Sequence, residues 1–115
     1  MIATSTGFWK AFFDPNNVNH KKAKEDIEIY DDEKIIIDSF TLSEVVSWLL
    51  EQKKHEIMNW FLDYAKNTAN VRTFYIGKQE LEFIINTSIN EKINFSDACL
   101  SYLHKYLNCD ITNGY

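Results

Sequence analysis

Two acidic residues stand where helices open, and both invite the same chemistry. Thr41-Leu42-Ser43-Glu44 follows a run of β-branched residues, and Asn94-Phe95-Ser96-Asp97 opens the last helical pattern. A carboxylate in a first helical turn, facing strand ends, is placed to bind a cation. Each motif alone has a plainer reading, and that reading is favoured. Thr41 and Glu44 have capping-box spacing, with Thr41 accepting from the Glu44 N–H and Glu44 reaching back. Asn94 can cap its helix, and Asp97 at the third helical position suits the helix dipole. As a pair they say more, because helix starts in an α/β domain can face one end of the sheet. Two carboxylates ~4 Å apart repel by about 4 kcal/mol at an effective dielectric of 20, so such a pair needs a proton or a cation. Mg²⁺ and Mn²⁺ suit oxygen ligands and keep several waters. The chemistry that follows is metal-assisted phosphodiester hydrolysis. Asp38 ends the strand before Thr41, at the same edge. It is a further oxygen donor, although strand-end turns commonly carry Asp.

Other chemistries are poorly supplied. His20, His55 and His104 do not cluster in sequence. Asp97, Ser101 and His104 share a helical face, which an exposed polar stripe explains better. Cys99 and Cys109 form no C-x-x-C, read as core or half-buried residues, and point to a reduced, cytoplasmic protein. There is no glycine-rich phosphate loop and no serine or cysteine nucleophile motif.

The elements that must position the acids are legible from periodicity. Ile2-Ala3-Thr4 is a short β-prone opening, and Phe8, Trp9, Phe12 and Phe13 then recur as on one side of a short helix. Asp14-Pro15-Asn16-Asn17 breaks it. A second helix is predicted over 18–30, with Ala23, Ile27 and Tyr30 inward. Lys34 to Asp38 reads as a strand buried on both faces. Helices are predicted over 41–52 and 55–67, the second with Ile57, Trp60, Phe61 and Tyr64 on its apolar stripe. A strand over 71–76 leads through Gly77 into a helix with Leu81, Ile84 and Ile85 inward. The last helix covers 95–107, with Cys99, Tyr102, Leu103 and Tyr106 on its apolar face. Asp110-Ile111-Thr112 is β-prone, and Asn113-Gly114 is a turn signal. Strands alternating with helices predict a three-layer α/β/α domain around a short, mostly parallel sheet. Ligands of such sheets bind beyond the carboxyl ends of the strands.

Composition bounds the rest. The 115 residues fit one domain, and 45% apolar content fits a globular chain. No apolar run approaches the ~20 residues that span a bilayer. The net charge is −5, with Arg72 the only arginine, so a broad nucleic-acid footprint is not expected. Lys21, Lys22 and Lys24 form one local basic cluster and Lys53-Lys54 another, both most simply solvated surface.

The order of these segments resembles the PIN domain, a family of Mg²⁺- or Mn²⁺-dependent ribonucleases that includes many toxins. Ser5-Thr6-Gly7-Phe8-Trp9-Lys10-Ala11 is similar to the family's opening D-T-[SG]-x-W-x-A. His20-Lys21-Lys22-Ala23 is similar to its H-x-x-A helix, Thr41-Leu42-Ser43-Glu44 to its T-x-x-E segment, and Ile93 through Ala98 to its L-x-x-x-D-A segment. Ile111-Thr112-Asn113 resembles the start of its last strand. The resemblance spans nearly all of residues 1–115 as a single PIN-like domain, with the closing strand and helix short or missing. It implies Glu44 and Asp97 as catalytic metal ligands, an RNA substrate, a small antitoxin protein as partner, and a homodimer. Two positions depart from the pattern. Ser5 stands where the first acid is expected, and Asn113 where the fourth is. Two readings follow: a ribonuclease with an incomplete acidic site, in which Asp38 or a carbonyl makes up for Ser5, or a catalytically degenerate module that binds protein or RNA, with Trp9, Trp48 and Trp60 as a contact face.

Overall fold

The computed structural model describes residues 1–115. In chain order the elements are β1 (Ile2–Ala3), α1 (Thr6–Phe13), α2 (His20–Tyr30), β2 (Ile35–Asp38), α3 (Ser39–Glu51), α4 (His55–Asn67), β3 (Val71–Phe74), α5 (Lys78–Glu91), α6 (Phe95–Leu107) and β4 (Asp110–Ile111). The four strands form one sheet in the order β3-β2-β1-β4. All pairings are parallel, with Ile2 opposite both Ile35 and Asp110, and Ile35 opposite Val71. This is the expected α/β/α architecture. No helix is long and apolar enough to cross a membrane.

The isoleucine run of β2 explains the layering. Ile35 and Ile37 point to one face, where they join Ile2, Val71, Phe8, Trp9, Val45, Leu49 and Phe61 in the larger core. Ile36 points the other way and packs with Ala3, Leu100, Leu103 and Cys109 under α6. Successive strand residues alternate faces, so three consecutive apolar positions require cover on both sides. The α1 aromatics sit at the centre of the larger core. Phe8 and Trp9 are fully buried, and their rings meet edge to face at 4.9 Å. The Trp9 indole N–H would be costly to leave unpaired there. It donates to Thr4 Oγ1 at 2.8 Å, and Thr4 in turn donates to the Ile36 carbonyl at 3.3 Å.

Three expectations need correction. The third helix starts at Ser39, not residue 41, because Asp38 caps it. On α5 only Ile84 is buried; Leu81 and Ile85 are each 41% exposed. That helix packs mainly against α6 and so can bury only a narrow stripe. Trp60 is 49% exposed and Tyr106 is 47% exposed, although the helical period places both on apolar faces. The boundaries of α4 and α6 fall where the sequence places them.

Candidate metal and phosphodiester site

The carboxyl ends of three adjacent strands supply the rim. β1 runs into Thr4 and Ser5, β2 ends at Asp38, and β4 leads into Thr112 and Asn113. Ser5 is the N-cap of α1, its hydroxyl accepting from the Phe8 N–H at 3.0 Å. Its own N–H donates to Thr112 Oγ1 at 3.0 Å, and the Thr112 hydroxyl donates back to Ser5 Oγ at 3.1 Å. Two residues 107 positions apart are thus joined by reciprocal bonds. The next residue, Thr6, donates from Oγ1 to Glu44 Oε1 at 2.8 Å.

That bond settles the role of Glu44 in the fold. A capping box would place Glu44 at the third helical position. With α3 beginning at Ser39, Glu44 lies in the second turn and its carboxylate reaches across to the start of α1. The cap is Asp38 instead. Its Oδ1 accepts from the Thr41 N–H at 2.7 Å and its Oδ2 from the Thr41 hydroxyl at 2.8 Å. Asp38 is 1% exposed. Burial pushes its carboxyl above the usual range, against the bonds from Thr41 and the neighbouring backbone. Both oxygens are engaged and water is excluded, so Asp38 is a structural cap and a poor donor for a hydrated cation.

Asp97 lies where the sequence puts it, at the third position of α6, with Asn94 as cap accepting from its N–H at 2.8 Å. Its carboxylate is solvent-exposed and takes no side-chain bond. The α6 start is held against the α3 start by Phe40 and Phe95, whose rings meet edge to face at 4.6 Å. Cys99, one turn into α6, registers the same neighbourhood. Burial raises its thiol pKa strongly, and the charges of Asp38 and Glu44 add to the rise. Burial and these charges thus disfavour the thiolate, the nucleophilic form. Asn113 is exposed; its carbonyl accepts from Lys22 Nζ at 2.7 Å, while its side-chain amide is unbonded.

The structure thus ties Ser5, Thr6, Thr112 and Glu44 together by direct bonds and brings the α6 start alongside α3. No three His, Cys, Asp or Glu side chains converge to enclose an ion by themselves. His104 is at the far end of α6, where its Nδ1 lies 2.9 Å from the Cys109 carbonyl. His20 is likewise structural, its Nδ1 2.8 Å from the Ala11 carbonyl. The Thr6–Glu44 and Ser5–Thr112 contacts join positions 38 and 107 apart, and no sequence spacing announces them.

Among solved structures, the VapC20 toxin of Mycobacterium tuberculosis, which cleaves the sarcin-ricin loop, superimposes with a TM-score of 0.81 at 17% identity, over 95% of this chain and 85% of that one. The fold is that of the PIN domain. A toxin–antitoxin complex from Klebsiella pneumoniae matches with a TM-score of 0.73 at 14% identity, over 99% of this chain and 87% of that one. No family model and no curated protein matches the chain by sequence. The PIN fold accounts for what periodicity alone could not: why α1, α3 and α6 all open toward one rim.

Proposed function

We propose that the chain is a metal-dependent endoribonuclease of the toxin type, with Glu44 and Asp97 as its metal ligands. The observation that carries this is the Glu44 carboxylate, which helix capping does not use and which faces the carboxyl ends of the strands in a PIN fold. The donor set suits Mg²⁺ or Mn²⁺. Glu44 keeps one oxygen free of protein bonds, Asp97 keeps both, and the rim is open to water. Mg²⁺ is commonly held by one or two carboxylates, with waters and substrate phosphates completing its shell. When bound, the metal supplies Lewis-acid polarisation of the phosphate and an acidified water. The chain's own residues do the positioning. Thr6 fixes the orientation of Glu44, and the Asn113 amide offers a neutral carbonyl oxygen. RNA is the substrate of this reading; a small antitoxin protein, a homodimer and a cytoplasmic location belong to it as well.

Calorimetric titration with Mn²⁺, beside RNA cleavage by wild type and Glu44→Ala, tests the proposal. Wild type is expected to bind Mn²⁺ and cleave, and Glu44→Ala to lose both. No Mn²⁺ binding, with equal cleavage by the two proteins, refutes it. The second reading, a domain that binds without cutting, is favoured by one observation: Ser5 is neutral and its hydroxyl is held by Phe8 and Thr112. Under that reading Ser5→Asp gains metal-dependent cleavage, since Asp also caps helices and leaves α1 intact. Cleavage by wild type at the rate of Ser5→Asp sinks it.

A further inference from the structure

A groove of about 380 Å³ runs from Glu44 along the outer face of α3, lined by Lys10, Phe40, Ser43, Glu44, Trp48 and neighbouring residues. Phe40, Glu44 and Trp48 follow one another at i, i+4 and i+8, so they form one stripe along the helix. Trp48 lies one turn, about 6 Å, beyond Glu44. Its ring is half-buried, and two ammonium groups lie over it. Lys10 Nζ from α1 and Lys54 Nζ from the α3–α4 turn each lie 5.9 Å from the ring centroid. Neither lysine forms an ion pair; the salt bridges of the molecule use Lys21 and Lys22. This holds although Glu44 and Glu51 line the same groove. The Glu44 carboxylate is turned toward Thr6, and Lys10 remains uncompensated.

We propose that this groove is a nucleotide subsite for single-stranded RNA, in which a base next to the scissile phosphate takes the place of the ammonium groups over Trp48, and Lys10 and Lys54 swing to the flanking phosphates. The subsite rests on the nuclease reading for its orientation, with Glu44 at its inner end. An aromatic face together with cations is the combination that holds single strands without sequence preference. It also resolves a tension in the composition. An acidic chain with one arginine lacks a broad basic footprint, but a short single-strand groove needs only one or two phosphate contacts and one stacking platform. Trp48 serves better than the more exposed Trp60, because Trp60 stacks on Tyr64 at 5.1 Å and on Phe12 at 6.2 Å, within the α1–α4 packing and away from Glu44.

The test is fluorescence anisotropy with a labelled oligoadenylate of about eight nucleotides, in EDTA so that metal-dependent cleavage does not consume it. Trp48→Ala is expected to weaken binding about tenfold, and Trp48→Phe, which keeps a ring, by no more than about threefold. Lys10→Gln is expected to lower the slope of log affinity against log salt by about one. Thermal melting of each variant separates lost binding from lost folding, and the Phe variant keeps the comparison alive if the Ala variant does not fold. Binding by folded Trp48→Ala within twofold of wild type overturns the subsite and leaves the nuclease reading standing. An unchanged salt slope in Lys10→Gln overturns the phosphate contact. Conversely, Trp48-dependent binding by a wild type that cleaves nothing supports the subsite while removing the nuclease.

Discussion

Asp38 offers the sharpest stability prediction, because its cost can be assembled from the bonds it makes. Asp38→Ala removes the N-cap of α3, worth about 1 kcal/mol. It also strands the Thr41 hydroxyl, whose residue is 0% exposed, at a cost of roughly 1–3 kcal/mol. Loss of the buried carboxylate offsets part of this, since burial already disfavours its charge. The expected net loss is about 2–3 kcal/mol, or a fall in Tm of about 10 °C. Asp38→Asn keeps an acceptor for the Thr41 N–H and offers its amide N–H to the Thr41 oxygen, so it should lose under about 1 kcal/mol. The pH dependence supplies an independent check. The folded Asp38 carboxyl is raised above its unfolded value, so the native state binds the extra proton. Its contribution is therefore greatest below the unfolded value near 3.9 and declines as pH rises through the folded value. Asparagine does not titrate, so Asp38→Asn should gain on wild type as pH climbs above about 4. Urea denaturation of the three proteins across this range measures both effects. If Asp38→Ala costs less than about 0.5 kcal/mol, or if Asn is as damaging as Ala, the assignment of Asp38 as a bonded cap is wrong.

Two further expectations concern the packing around α1. Trp9→Phe should cost about 2–3 kcal/mol, from the smaller ring in a fully buried site and the lost donor to Thr4; a loss under ~1 kcal/mol by chemical denaturation would contradict that account. Tyr115 donates its hydroxyl to Asp26 at 2.5 Å. Burial tends to raise the Asp26 carboxyl, but the bonds from Tyr115 and Lys22 outweigh it and hold the group below its usual range. Asp26 therefore stabilises the fold above its unfolded value, and that contribution fades as pH falls through the folded one. Tyr115→Phe should cost about 1 kcal/mol near neutrality and flatten the acid limb of the stability curve; an acid limb as steep as wild type in a pH series of melting curves would refute the link.

The elements were far more legible than the contacts that make a site of them. α4 and α6 could be bounded because strong stripes, Ile57-Phe61 and Cys99-Leu103, run between clear breakers. The Ile35-Ile36-Ile37 run correctly implied cover on both faces of the sheet. Sequence spacing misplaces the start of α3 because Thr41 resembles a cap, when it is the residue being capped. With that start, spacing puts Glu44 in the first turn with a helix-capping partner, whereas the structure puts it in the second turn with Thr6. Periodicity also overstated the cover on α5, since a helix at the margin of a small domain has a single neighbour to pack against. Ser5 and Asn113 stood out by departing from a pattern, but only the fold showed that Ser5 and Thr112 are bonded to each other.

The Ser5–Thr112 clasp also bears on what it costs to close the rim. β1 meets β2 across a loop of modest length, whereas its pairing with β4 joins the two extremities of residues 1–115. Closing that second loop has the larger entropic cost, and no local turn assists it. The β1–β4 pairing, with the clasp beside it, is therefore the pairing of the sheet with the largest closure cost. The Ser5 hydroxyl keeps its bond from the Phe8 N–H within α1, while its bond from Thr112 requires β4 to be in place. The clasp thus joins the cap of the first helix to the end of the last strand.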